Sequence, residues 1–599
     1  MKTKIICALL FIPFLIFAQE RTVSGTVTSS NGVPIPSVNV LIKNTTRGVV
    51  TDFDGNFSIA AAQNEVLVFS YIGMKPKEIV VGTANIINVV LEDSAESLEE
   101  VVVIGYGTQK KAILTSSVSS IKGEELSKEP VTNAAQALQG KAAGIQIIAS
   151  DAPGSASTVI IRGLGTIQGG RDPLYVVDGI LTNNINNINT SDILTMNVLK
   201  DAASLAIYGN RGANGVIIIT TKKGRSGKMQ ISFDSYTGIK DILSTVKMAD
   251  AASYVTYSNE AALRDLRRDD DIDNDNNTSG FFPTNQQYNT NWLDAITRIG
   301  RVTNHNLSLS GGSDNITAFF SVGLNKEEGI LKDNDFDRLT LRSNVDYKIS
   351  DKLNFGHNVS VQLANVTPKS YSAFTNAYKQ APIVPVRDEE GRFGSSTAFN
   401  NVGNPVKDLH FQDEKQKYLK IQASFKADYK IIEPLTFTSR FSVETENGRF
   451  YNFQDRLGSY LANAPGNTEA NFDGGIENPA KTRLSVTHTN NYRWFLDNYV
   501  TYNKTFNEDH TINATLGITA EENRTEFLTG TRNNVPLNSN LKYNLSIGDE
   551  NNTQLSGGSI SVMDRLYSYI ARVNYDFQDK YLFNASFRRD GSSKFQQGN

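Results

Sequence analysis

The run Arg338-Leu339-Thr340-Leu341-Arg342-Ser343-Asn344-Val345-Asp346-Tyr347-Lys348-Ile349 alternates without a break. Leu339, Leu341, Ser343, Val345, Tyr347 and Ile349 fall on one face, and Arg338, Thr340, Arg342, Asn344, Asp346 and Lys348 on the other. Successive side chains of a strand point to opposite sides, so the pattern predicts a β-strand with one apolar and one charged face. Lys420 to Ile431 repeats it, with Ile421, Ala423, Phe425, Ala427, Tyr429 and Ile431 against Lys420, Gln422, Ser424, Lys426, Asp428 and Lys430. Tyr567–Phe577 and Tyr581–Phe587 do the same and carry aromatics at their ends. Strands of water-soluble sandwiches usually have about five or six residues. Longer segments ending in tyrosines fit a transmembrane barrel instead, apolar toward lipid and polar toward the lumen. About eleven such segments are expected between residues 229 and 599.

The polar connections 265–290 and 370–415 are expected to be extracellular loops. In the first, Asp269, Asp270, Asp271, Asp273 and Asp275 could hold calcium, but a solvated loop is the favoured reading.

Upstream, residues 112–226 change to mixed α/β. Asn133 is expected to cap a short helix with Gln136 at its third position and Gly140 beyond its end, and Ser191 a second helix running to about Ala203. Val159-Ile160-Ile161, Tyr175-Val176-Val177 and Val216 to Thr221 are continuous apolar runs, the mark of strands buried on both faces. The glycine-rich stretch Arg162-Gly163-Leu164-Gly165-Thr166-Ile167-Gln168-Gly169-Gly170 has the spacing of neither a dinucleotide fingerprint nor a P-loop.

The first residues form an export signal: Lys2 and Lys4, an apolar stretch from Ile5 to Phe17, then Ala18 before Gln19. Residues 20–92 contain short strands punctuated by Gly32, Pro34, Pro36, Asp54-Gly55 and Gly73, and predict a small sandwich of roughly seven strands. Asp52 and Asp54 resemble the opening of a calcium loop, but no glutamate follows at the required spacing, which favours a hairpin turn. Residues 92–100 are an acidic linker, followed at once by Val101-Val102-Val103-Ile104. That strand either belongs to a flanking domain or is offered to the sheet edge of another protein.

A net charge of -4 argues against nucleic acid as a partner. The one cysteine, Cys7, sits in the export signal, so no thiolate metal site is expected in the mature chain. The five histidines lack metal-ligand spacing and no catalytic motif occurs. Neither catalysis nor a cofactor is expected.

Gly25-Thr26-Val27, Gly32-Val33-Pro34-Ile35-Pro36 and Thr51-Asp52-Phe53-Asp54-Gly55-Asn56-Phe57 resemble the carboxypeptidase-regulatory-like domain of Bacteroidetes outer-membrane receptors. Leu138-Gln139-Gly140-Lys141-Ala142-Ala143-Gly144-Ile145, Ile161-Arg162-Gly163 and Pro173-Leu174-Tyr175-Val176-Val177-Asp178-Gly179 resemble a plug domain. So do Leu199-Lys200-Asp201-Ala202-Ala203-Ser204-Leu205-Ala206-Ile207-Tyr208-Gly209 and Arg211-Gly212-Ala213-Asn214-Gly215-Val216, while Arg588-Arg589-Asp590-Gly591-Ser592-Ser593 resembles a recurrent barrel motif. Taken in order, the chain resembles a SusC-like (SusC/RagA-type) TonB-dependent outer-membrane transporter.

The resemblance implies a mainly β molecule. Its parts are a signal peptide 1–18, a sandwich 19–92, a linker with TonB box 93–111, a plug 112–226 and a partial transmembrane barrel 229–599. It implies that Glu100, Val101, Val102, Val103 and Ile104 are the TonB box, captured by the TonB-ExbB-ExbD energy-coupling complex through strand addition. Arg162, Gly163, Gly165, Asp178, Gly179, Tyr208, Gly209, Arg211 and Gly212 become plug motif residues. The glycines would let the plug backbone pack tightly, and Arg162, Arg171 and Asp178 would make ion pairs with the wall or polar lumen contacts, a structural role favoured over direct substrate contact. The implied function is import of a bulky oligosaccharide or oligopeptide across the outer membrane with a SusD-like surface lipoprotein. A siderophore or cobalamin receptor, or a surface receptor that does not transport, is the alternative. Family barrels have twenty-two strands, so the chain, ending at Gln597-Gly598-Asn599, is expected to be a truncated product.

Overall fold

The computed structural model describes residues 21–595 except 30–31, 44, 46, 72–73, 93–100, 105–106, 111–117, 132, 168–169, 244, 269–280, 397–399, 464–465, 474–479, 508, 538–540, 550–553, 556–561 and 579. The export signal, the acidic linker with Glu100, Gly169, the aspartates from Asp269 to Asp275 and the C-terminal tail therefore lie outside the described residues. The chain divides into two compact units, residues 1–101 with 110–112, and residues 102–109 with 113–599.

In the first unit seven strands form two sheets. They are β1 (Arg21–Ser29), β2 (Asn39–Ile42), β3 (Gly48–Val50), β4 (Asn56–Ala61), β5 (Val66–Ser70), β6 (Lys77–Val80) and β7 (Val89–Leu91). Sheet orders are β4-β1-β7 and β3-β2-β5-β6, enclosing Val23, Val27, Val40, Phe57, Leu67 and Phe69. Asp52 turns the β3–β4 connection by accepting from the backbone N–H groups of Asp54 and Asn56, at 3.0 and 2.8 Å. Those two bonds occupy Oδ1 in turn geometry, as a hairpin requires. Further on, β8 (Val101–Ile104) pairs with β9 (Gly107–Lys110).

The second unit begins with the mixed region. Its strands are β10 (Val118–Lys122), β11 (Ile145–Ile148), β12 (Thr158–Ile161), β13 (Leu174–Val177), β14 (Ile180–Thr182), β15 (Ile193–Leu199) and β16 (Val216–Thr221). A five-stranded sheet runs β10-β15-β16-β13-β14, and β11 pairs with β12. Two helix expectations fail here. Ser191 caps nothing; Asn189 accepts from its N–H at 3.1 Å and closes a 3-10 turn, Thr190–Asp192. Residues 193–199, expected in that helix, form strand β15 instead, because Ile193, Met196, Val198 and Leu199 are all buried in the sheet centre, where a one-sided helix would leave half of them exposed. The helix is a single turn, Ala202–Leu205, capped by Asp201. Asn133 accepts from Ala135 N–H at 2.8 Å, but the element it opens is a 3-10 turn, Gln136–Leu138, stopped by Gly140 at φ +73°.

The rest is one twelve-stranded antiparallel sheet. In order its strands are β17 (Gly227–Lys240), β18 (Gly300–Gly312), β19 (Ile316–Glu328), β20 (Asp335–Lys348), β21 (Leu353–Thr367), β22 (Asp413–Ile432), β23 (Leu435–Asp455), β24 (Thr482–Phe506) and β25 (His510–Asn533). Then come the short β26 (Gln554–Leu555), which pairs only with β25, β27 (Val562–Phe577) and β28 (Tyr581–Ser592). Apart from β26, each strand pairs with the next along the chain, and β17 and β28 end the sheet. This is the expected run of about eleven barrel strands.

The sheet is inside out. On β20, Leu341 is 41% exposed while its neighbours Thr340 and Arg342 are 3% and 5% exposed. Outward-facing Leu307, Phe320, Val322, Leu324, Leu363, Phe425, Phe441 and Leu516 are likewise exposed. Inward-facing Asn304, Asn306, Ser321, Gln362, Lys420, Gln422 and Ser442 are buried. Water would drive the opposite sorting, so the outer face is built for lipid. Connections at one end are short, such as 313–315, 349–352 and 433–434, and those at the other are long, such as 241–299, 368–412 and 456–481. Far from being merely polar, the first two long connections bury a core of their own, with Trp292, Leu293, Ile296, Ala373, Ala377 and Ile383, joined by Leu331 of the β19–β20 connection.

Candidate functional site

The polar inner face of the wall is filled by the mixed domain, and the contacts between them are charged and buried. On the domain's side, Asp178 follows β13 at φ +48° and accepts from Thr221 twice, from N–H at 2.9 Å and from Oγ1 at 2.6 Å. Asp192, at the foot of β15, accepts from Asn306 Nδ2 at 3.1 Å and Ser321 Oγ at 2.7 Å on the wall. Between the two carboxylates sits Arg342 of β20, 3.7 Å from Asp178 and 3.6 Å from Asp192, with its side chain 3% exposed. One cation thus serves two buried anions across the interface. Such a cluster holds only while all three members stay together, because removing one strands the rest in a medium that cannot solvate them.

Other contacts continue around the wall. Arg338 donates to Asn186 O, and Asn187 donates to Gln422 at 2.5 Å. Asn189 donates to Asn304 at 3.3 Å, and Asn344 donates to Thr221 Oγ1 and Lys222 O at 2.8 Å each. Arg211 pairs with Glu521 of β25. Arg588 of β28 donates to Ile207 O at 2.7 Å and pairs with Asp590 at 2.7 Å.

Cavities flank the domain on two sides. Toward the long connections, the loop from Thr182 to Asn189 faces Lys420, Glu444 and Glu446 across neighbouring cavities of about 210 and 290 Å³. Ile185 and Ile188 anchor this loop in the domain core and leave Asn183 and Asn184 exposed at its tip. Toward the short turns, a cavity of about 980 Å³ is bounded by Asp178, Gly179 and Tyr208 on one side and Arg440, Tyr499 and Lys426 on the other.

Residues 23–103, which hold the sandwich, match the CarboxypepD_reg-like domain, and residues 110–216 match the TonB-dependent Receptor Plug Domain. The chain is 35% identical to a TonB-dependent receptor of Formosa agariphila, covering 97% of this chain and 57% of that one. It is 31% identical to the TonB-dependent receptor SusC of Bacteroides thetaiotaomicron, covering 98% and 58%. The chain belongs to the SusC-like TonB-dependent receptors. Among solved structures, the RagAB peptide importer in its open-open state superposes with a TM-score of 0.69 at 24% identity, covering 84% of this chain and 57% of that one. The chain thus spans a little over half the length of the relatives it matches. Its place is the outer membrane, with the mixed domain as plug.

The residues expected to form the plug motifs fall into two groups. Asp178, Gly179, Tyr208, Gly209 and Arg211 meet the wall. Gly179, at φ +87°, lies against the Arg440 guanidinium with no room for a Cβ, and Arg440 pairs with Asp497 at 2.6 Å. Gly209, at φ +62°, packs against Arg588 and Asp590 in the same way. Arg162, Gly163, Gly165 and Gly212 stay within the plug. Arg162, at φ +57°, donates to Lys200 O at 2.7 Å rather than to the wall, and Gly163 follows it at φ +88°. Burial, and then the Arg162 charge, hold the Lys200 ammonium below its ordinary pKa. Arg171 is exposed. Val101 to Ile104 form β8, apart from these residues in the chain and shortly before the plug. Sequence reasoning did not single out Asp192, Arg342, Arg440, Glu521 or the Asn183–Asn189 loop. The signal for the wall residues was present, since a buried plug needs charged partners from the lumen-facing positions of the alternating strands.

Proposed function

We propose that this receptor is the plugged half of an active importer. It would carry a bulky nutrient, an oligosaccharide or oligopeptide, across the outer membrane at the expense of the inner-membrane proton gradient. The observation that carries this reading is the polar, ion-paired seat of the plug within the wall. A plug held by many modest polar contacts is stable at rest, yet releasable by a pull along the chain. Glu100 and the strand Val101–Ile104 are the TonB box in this reading, and TonB of the TonB-ExbB-ExbD complex captures them by adding its own strand. Main-chain bonds along a strand carry tension without a deep pocket. A SusD-like surface lipoprotein delivers substrate to the long-connection side, where the Asn183–Asn184 tip meets it. RagAB, a peptide importer by name, and SusC support the reading through their likeness to this chain.

The test is deletion of Val101 to Ile104 in cells. Accumulation of labelled oligosaccharide or oligopeptide should cease, while outer-membrane insertion and surface binding persist. Undiminished uptake by the deletion strain would sink the mechanism.

A further inference from the structure

The outer face of the wall carries two facing cations, flanked by a histidine, that form no ion pair among the described residues. Lys417 of β22 lies opposite Arg449 of β23, and Arg449 lies opposite His488 of β24. Pairing is unbroken from there down each strand, so the three share a face with Phe425, Phe441 and Tyr492, the outward residues of the same strands. All three are exposed. Directly opposite side chains have Cβ atoms about 4.5–5.5 Å apart, where like charges destabilise a sheet. Other cations on the outward face are matched: Arg565 with Glu522 at 2.8 Å, Lys326 with Glu328 at 4.0 Å, and Arg524 with Glu526. Glu526 is engaged by Arg524 and Asp413 by Lys542 and Tyr543, while Asp337 lies two strands from Lys417 and opposite Lys326. Lys415 adds a third cation, 4.2 Å from the centre of the Tyr543 ring.

The height of the row selects the ligand. On β22 the outward apolar residues run from Tyr429 through Phe425 and Ile421 to Leu419, and Lys417 is the next outward position toward the long connections. On β19 the corresponding run is Ile316 to Leu324, about 26 Å of strand at about 3.3 Å per residue. Tilted by about 35–45°, that run rises about 20 Å, close to the apolar band of an outer-membrane barrel, roughly 25 Å. The row therefore sits where the hydrocarbon ends and the headgroups of the outer leaflet begin.

We propose that Lys417, Arg449 and His488 bind the phosphorylated headgroup of an outer-leaflet lipid, whose acyl chains lie along the apolar residues below. Phosphate oxygens accept charge-assisted bonds from Lys417 and Arg449, of which Arg449 can donate two in parallel, and a hydrogen bond from the His488 ring. A bound phosphate relieves the repulsion between the facing Lys417 and Arg449.

The test uses the full chain extracted from outer membranes in dodecyl maltoside. It is titrated with diphosphoryl lipid A in the same micelles, and bound lipid is counted by native mass spectrometry. The triple variant K417Q/R449Q/H488Q should bind about tenfold more weakly or worse, the order expected for losing one good contact or more. The charge-keeping K417R/R449K should bind like the parent, and heat-dependent gel mobility should report all of them folded. Dephosphorylated lipid A should bind the parent no better than the triple variant does, and millimolar inorganic phosphate should not displace the lipid. Equal binding by the triple variant, equal binding of the dephosphorylated lipid, or displacement by inorganic phosphate would each overturn the assignment.

Discussion

At the scale of single residues, the centre of the molecule is Arg342. Its position on the polar face of the alternating run was readable from the sequence, and so was the expectation that Asp178 would meet the wall. What joins them was not readable. Asp178 and Asp192 stand far from Arg342 in the chain, and only the docking of plug into wall brings the three together. Replacing Arg342 by methionine keeps the packing volume but leaves two buried carboxylates facing each other. Breaking such a cluster costs about 3–5 kcal/mol, and the donors from Thr221, Asn306 and Ser321 keep the cost toward the lower end. We expect R342M to make the plug sensitive to protease in detergent, and R342M/D178N/D192N to recover part of the protection. A single variant as protected as the parent would show that the ion pairs do not hold the plug. Tyr371 offers a second reading at this scale, on the long-connection side beyond β21. Burial, then Asp151 and Glu327, push its phenol up to about 12. Because the folded value is the raised one, below about pH 10 the phenol is neutral in both states and no stability is lost. As pH climbs from there toward 12, the unfolded chain releases the proton that the folded one keeps, and stability falls. The tyrosinate absorbance of the parent minus that of Y371F should rise near pH 12, and a rise near pH 10 would contradict the burial.

Elements were legible where one local pattern decided them, and illegible where a distant neighbour did. The wall strands alternate on their own account, so Arg338–Lys348 and Lys420–Ile431 declared both their conformation and their faces. Residues 193–199 did not, because a short apolar run suits a buried helix as well as a buried strand, and only pairing with β10 and β16 selects the strand. The long connections were harder still. Their polar composition masked Trp292, which is 3% exposed and donates its indole N–H to Ala381 O at 2.9 Å, across a chain separation no pattern could bridge. The connections 241–299 and 368–412 are consequently one packed cap rather than two free loops. Trp292→Ala should cost about 3–5 kcal/mol locally. Hydrogen exchange should rise in both connections together while β18 to β21 keep their protection. Faster exchange confined to residues 241–299 would show that the two do not share a core.

For the whole molecule, the decisive property is that its sheet is sorted for lipid, and that property has its own test. Phe320 lies near the middle of the outward run Ile316–Leu324 of β19 and is 46% exposed, whereas Leu324 lies at its edge, one outward position from Lys326. In a bilayer an arginine near the midplane of a barrel's outer face costs about 2–4 kcal/mol, falling to about 0–1 near the interface. F320R should therefore reduce assembly into phospholipid vesicles strongly and L324R only slightly, each scored by heat-dependent gel mobility. In water the ordering would vanish, since either position would present its guanidinium to solvent without penalty. Equal assembly of F320R and L324R would mean that the apolar face meets something other than hydrocarbon. A graded loss, steepest at Phe320, would fix the membrane's midplane on β19 and place the Lys417–Arg449–His488 row at the headgroup level by the same measure.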